Sequence, residues 1–254
     1  MPVRPPLSAD LNNGKEMSVL RQSRVSAFRS LLDLNGRLLA PVLYLFESVR
    51  SYIEERKEAF DARFGTDTAA PSLGREKTPG AYFYVATTAS LIYEILNSLA
   101  LPPDAFVFVD MGSGKGRALL VASEFAFAKI VGIELSPDLH RIAEDNISRY
   151  NPASQQCMAF ELHCMDVVDY EYGPEPVVLF LFDPFGRDTL RSVIANLEAS
   201  LRARPREALV VYVYPRFEDV LQSSDVLRKV REGGPRWRPW SRYVVYATSA
   251  GRGR

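Results

Sequence analysis

Asp110 stands at the mouth of a glycine loop. The run "FVFVDMGSGKGRALLVASE", residues 106–124, passes from an apolar, strand-like stretch to Asp110, then to Gly112, Gly114 and Gly116, and then to a helical pattern. Glycines in such a turn adopt unusual dihedrals and let a ligand approach the backbone, and the helix start adds unpaired N–H groups. A phosphate site would be free of negative charge here. A carboxylate suits a ligand carrying a cationic amino group. The G-x-x-x-x-G-K-[ST] phosphate loop is excluded, because Gly116 follows Lys115 and Val109 occupies the place of the first glycine. The dinucleotide fingerprint G-x-G-x-x-G fits poorly, since the spacing is G-x-G-x-G with an acid in front. The next strand-like run, "KIVGIEL", ends at Glu134, 24 positions after Asp110. A carboxylate there accepts hydrogen bonds from both hydroxyls of a ribose. Dinucleotide enzymes use the same device, and a helix-capping acid is the plainer alternative.

The stretch "DMGSGKG" matches [DE]-x-G-x-G-x-G at every fixed position. From about Thr78 to the end, the sequence resembles the Rossmann-like, class I methyltransferases that use S-adenosylmethionine. That resemblance implies that Asp110 faces the ammonium of the cofactor's methionine portion, and that Gly112, Ser113, Gly114 and Gly116 cradle it. Glu134 would take the ribose and Leu135 would pack on the adenine. In "AFELHCMDV", Asp166 would accept the adenine amino group, flanked by Met165 and Val167. Glu161 and Asp169 compete for that role, and Asp166 reads equally as a turn acid. Upstream, Tyr82, Tyr84, Thr87 and Thr88 would fold over the methionine end, although Thr87 or Thr88 also reads as a helix N-cap.

"VVLFLFDPFG" ends in Asp183-Pro184-Phe185-Gly186. This resembles the [DN]-P-P-[YFW] motif of methyltransferases acting on amino nitrogens, without the second proline. The resemblance makes Asp183 the residue that orients the acceptor and a candidate to take its proton, and Phe185 the ring stacked on it, a favourable place for a cationic amine. The alternative is a strand-ending turn with a buried Phe. "FDARFGTDT", residues 60–68, together with the "GSGKGR" loop and the "DPF" strand end, is similar to a bacterial group of class I methyltransferases.

Those residues need a scaffold. After a linker rich in turn residues, short runs that are apolar throughout alternate with helical patterns. This predicts a doubly wound, mostly parallel α/β sheet of seven strands, covered on both faces. The last two strands lack room for a helix between them and should form an antiparallel hairpin at the sheet edge. Ligands of such sheets bind beyond the carboxyl ends of the strands. We expect a helical extension and linker over residues 1–75 and the methyltransferase domain over 76–254. Within the extension, residues 1–16 read as disordered and a long helix starts at Pro41 and stops at Gly65.

The chain has 254 residues and a formal net charge of zero, so it shows no general pull toward nucleic acid or an anionic membrane. Its C-terminal edge is basic, with Arg236, Arg238 and Arg242 among Trp237 and Trp240. The two cysteines make no disulfide framework, and with His140 and His163 they lack zinc spacing. His140 reads as a surface residue, and neither histidine is assigned a catalytic role. No apolar run is long enough to span a membrane, and no secretory signal is read at the N-terminus, so a cytoplasmic protein is expected. The expected activity is in-line methyl transfer from S-adenosylmethionine to an acceptor, with a protein lysine or other amine or a small molecule favoured, RNA open but disfavoured by the zero net charge, and no metal. Two alternatives stand beside it. One is a non-catalytic, cofactor-binding partner subunit. The other is a nicotinamide-dependent oxidoreductase.

Overall fold

In the computed structural model, residues 59–70, 84–102, 104–234 and 239–248 are described below. The expected disorder of 1–16, the bulk of the long helix from Pro41, Tyr82, and the basic residues Arg236 to Arg238 lie outside them. By its internal contacts the chain divides into units 1–49 and 50–254, and all the described residues belong to the second.

Seven strands form one sheet: β1 Val107–Met111, β2 Lys129–Glu134, β3 Phe160–Cys164, β4 Val177–Phe182, β5 Ala208–Val213, β6 Leu227–Gly233 and β7 Tyr243–Thr248. Their spatial order is 3-2-1-4-5-7-6. Strands β1 to β5 are parallel, and β7 runs antiparallel between β5 and β6. The hairpin is therefore present, with β6 outermost. The order reverses at β1, which β2 and β4 flank, and a sheet of this kind opens its ligand crevice there.

The helices are α1 Phe60–Phe64, α2 Ala89–Leu99, α3 Arg117–Ala122, α4 Pro137–Arg149, α5 Arg187–Ala203 and α6 Glu218–Gln222. Gly65 ends α1 in the left-handed conformation, but the helix expected to run unbroken from Pro41 is interrupted at Ala59, whose φ of +50° sets Phe60–Phe64 apart as a short helix of its own. Ser136 caps α4 through its side chain, with Pro137 in the first turn. The crossover from β3 to β4 differs from the others. It carries a 3-10 turn, Val167–Asp169, in place of a helix.

The alternation of a strand sorts its side chains onto two faces. Phe108, Ile130 and Phe180 join a core with Leu119 and Leu120 of α3 and Ile92 and Ile95 of α2. Val109, Ile133, Leu179 and Leu181 join the opposite core with Leu190, Ile194 and Leu197 of α5. Asp110 shares the face of Phe108, and Glu134 that of Ile130. Both carboxylates therefore leave their strands on the side covered by α3.

Candidate active site

The chain from β1 into α3 turns back over β2. The peptide N–H groups of Gly112 and Ser113 both donate to the Ile133 carbonyl, at 2.8 and 2.9 Å. Gly112, Gly114 and Gly116 all take positive φ, a conformation that glycine adopts without steric cost. At Gly114 the requirement is also steric. A Cβ there would lie 2.2 Å from Cε2 of Tyr84, whose ring covers the loop. At Gly112 a Cβ would lie 2.6 Å from Cβ of Pro184, which brings the end of β4 against the loop.

Asp110 and Glu134 meet at this turn. Glu134 accepts the Gly114 N–H on one carboxylate oxygen and the Ser136 N–H on the other, both at 2.8 Å. Burial raises its pKa against these opposing hydrogen bonds. Asp110 is 5% exposed. Among the described residues it has no hydrogen-bonded or ion-paired partner. Burial, with the Glu134 charge adding to it, pushes its carboxyl up to about 8. A nearly buried carboxylate without a donor is costly in a folded protein, and a cationic ligand relieves that cost.

Ser113 and Thr87 are buried, and Thr88 occupies the N-cap position of α2 without a side-chain capping bond. Leu135 is 43% exposed beside Glu134. Asp166 is exposed and its side chain accepts the Val168 N–H, capping the 3-10 turn. Asp183 follows β4 with positive φ. Tyr212 donates its hydroxyl to one Asp183 oxygen at 2.8 Å, and Arg216 donates Nε to the other. Phe185 is buried in the core that includes Leu190 and Val193. His140 is partly buried, with Nε2 3.6 Å from Glu144. His163 pairs with Glu161 at 2.8 Å on β3. Both cysteines are free, Cys157 buried and Cys164 exposed.

Several residues at the site were not among the sequence candidates: Asp61, Asp67, Thr68, Lys115, Arg117 and Asn146 behind the loop, and Tyr212 and Arg216 at Asp183. The stretch "FDARFGTDT" was the available signal for the first three. Its chemistry was invisible without its partners.

Residues 67–170 match the family model described as "Histone methylation protein DOT1". The match starts at Asp67 and spans the glycine loop, Glu134 and Asp166. That match spans less than half of the chain, and it supports the methyltransferase resemblance of the glycine loop within this doubly wound sheet. Similar solved structures include the ribosomal protein L11 methylase of Lactobacillus delbrueckii subsp. bulgaricus, 16% identical with a TM-score of 0.45, covering 64% of this chain and 78% of that one. An RNA methyltransferase from Salinibacter ruber in complex with S-adenosyl-L-homocysteine is 22% identical with a TM-score of 0.41, covering 67% and 96%. An rRNA methylase from Streptococcus thermophilus is 13% identical with a TM-score of 0.41, covering 63% and 92%. No curated protein matches the chain. Among the described residues, no helix is long and apolar enough to cross a membrane.

Proposed function

We propose that the glycine loop holds the methionine portion of S-adenosylmethionine, with Asp110 taking its ammonium group. The observation that carries this reading is the orphaned Asp110 carboxylate, nearly buried at the head of a loop whose glycines leave no room for side chains. Glu134 takes the ribose hydroxyls, Leu135 the adenine face and Asp166 the adenine amino group. Tyr84 and Thr87 close the methionine end. When bound, the cofactor supplies a methyl group on a sulfonium with a good leaving group. The chain's own work is then positioning and exclusion of water. Among the described residues no cluster of three or more His, Cys, Asp or Glu is placed to hold a metal.

The acceptor binds at the end of β4. Tyr212 and Arg216 fix both oxygens of Asp183, which gives this carboxylate an orienting role and leaves little of it free to take a proton. An amine that arrives neutral suits such a site, because its lone pair attacks before any proton must leave. The family description names histone methylation, which favours a protein amine over a small molecule as acceptor. The protein acts in the cytoplasm on this reading.

Titration of S-adenosylhomocysteine into the protein by calorimetry tests the cofactor. Micromolar binding, weakened by Asp110→Ala and by Glu134→Ala and not matched by NADH, is the expected result. Binding of NADH in its place would overturn it. A folded protein that binds neither would do the same.

A further inference from the structure

We infer that residues 61–69 are a clamp built against the outer side of the cofactor loop, and that Asp67 and Thr68 are positioning residues acting through Lys115 and Arg117. The inference rests on the reading that the glycine loop holds the cofactor.

The clamp is first tied to itself. The Asp61 carboxylate accepts from the hydroxyls of Thr66 and Thr68 at 2.7 and 2.6 Å, and from the N–H groups of Thr68 and Ala69 at 2.8 and 2.7 Å. One carboxylate thereby folds the chain after Gly65 into a rigid hook. The hook is then tied to the loop. Lys115, between the last two glycines, has a side chain only 4% exposed. A buried ammonium needs a partner, and both oxygens of Asp67 lie 3.0 Å from its Nζ. Arg117 donates Nε to the Thr68 hydroxyl at 2.7 Å and lies 3.4 Å from Asp61, with its guanidinium over the Phe60 ring.

Two further side chains join hook and loop directly. Asn146, buried on α4, accepts the Asp67 N–H at 2.8 Å and donates Nδ2 to the carbonyls of Asp67 and Lys115 at 3.0 and 2.9 Å. Tyr84, whose ring covers Gly114, donates its hydroxyl to the Thr68 carbonyl at 2.7 Å.

A loop with three glycines at positive φ has much conformational freedom to lose when it receives a ligand. Holding it beforehand removes that loss from the cost of binding. Asp67 and Thr68 do this from outside the loop, 48 and 49 positions before the cations they hold.

The test uses the full chain. S-adenosylhomocysteine affinity, thermal unfolding and amide exchange at Gly114–Gly116 are measured for Asp67→Asn, Asp67→Glu and Thr68→Val. A control, Arg202→Gln, breaks a surface pair with Glu198 and Asp225 at the end of α5. Asp67→Asn and Thr68→Val should each weaken binding at least about tenfold and speed exchange at the loop amides. Asp67→Glu should recover to within about threefold of wild type, and the control should bind normally. If Asp67→Asn fails to fold, Thr68→Val, which keeps shape and volume, decides alone. Folded variants that bind like wild type would overturn the inference, as would weakening without faster loop exchange. Loss of binding by the wild type itself would instead overturn the proposed cofactor.

Discussion

The ring of Tyr84 lies over Gly114 so closely that a Cβ on that residue would sit 2.2 Å from its Cε2. Gly114 also takes φ +55° and donates its N–H to Glu134. One backbone position thus joins the segment before α2, the glycine loop and the end of β2. Gly114→Ala would strain the backbone and displace the Tyr84 ring. Overpacking of this kind costs about 1–3 kcal/mol. Calorimetry should show S-adenosylhomocysteine binding weakened by about tenfold or more, with the strands still formed by circular dichroism. Unchanged affinity would mean that the loop adjusts freely.

If the cofactor ammonium sits at Asp110 as proposed, the raised pKa of this carboxyl makes binding depend on pH. Below about 8 the free protein holds this carboxyl protonated, because burial and the Glu134 charge disfavour its anion. A ligand ammonium favours the anion, so binding expels a proton. Affinity should rise by up to about tenfold per pH unit between about 6 and 8 and then level off. Calorimetry in buffers of different ionisation enthalpy would register the released proton, and Asp110→Asn should abolish its release.

The same group has an opposite effect on stability of the free protein. Its folded pKa lies above the unfolded value, so its contribution is full below about 4 and is lost as pH rises toward 8. Asp110→Asn should therefore raise the melting temperature at pH 8 and leave it nearly unchanged at pH 4. An equal shift at both would refute a buried, protonated Asp110.

Asp61 behaves in the reverse sense. Burial works against its charge, but hydrogen bonds from Thr68 and Thr66 and the Arg117 cation hold its carboxyl below the usual range. Its contribution is full above the unfolded carboxylate value and is lost as pH falls through the lower folded one. Asp61→Ala should destabilise the protein by about 3 kcal/mol at pH 7, since it strands Arg117 and frees the hook. Urea unfolding should show a smaller difference at pH 3, and a constant difference would mean that charge plays no part.

At the far side of the site, Tyr212 and Asp183 should separate binding from turnover. Tyr212→Phe removes one of the donors that orient Asp183 and leaves the glycine loop untouched. Once an acceptor peptide or amine is in hand, turnover should fall by about tenfold, with S-adenosylhomocysteine affinity within about twofold of wild type. A parallel loss of both would place Tyr212 in the cofactor site.

Much of the proposed cofactor side was legible in the chain. The glycine loop, Asp110 and Glu134 announce themselves because a strand, a turn and a helix each impose a local pattern, and the carboxylates fall where those patterns change. Apolar runs separated by helical stretches likewise predict the parallel sheet, and the missing helix between the last two strands predicts the hairpin. Phe185 shows where this kind of reading stops. Its place after Asp183-Pro184 is visible in the sequence, but its burial against Leu190 and Val193 depends on how α5 packs on the sheet.

The sequence by itself determined the backbone of the loop and the strand ends, since periodicity and glycine act within a few residues. Only the tertiary structure decided which distant side chains meet there. Asp67 with Lys115, Thr68 with Arg117, and Asp183 with Tyr212 and Arg216 are ordinary polar residues in the chain. Their pairing depends on packing between elements about 30 to 50 positions apart. The order 3-2-1-4-5-7-6 was decided at the same level, by which apolar faces bury each other. A charge finds its partner by distance in space, and that distance exists only once the sheet and its helices have closed on one another.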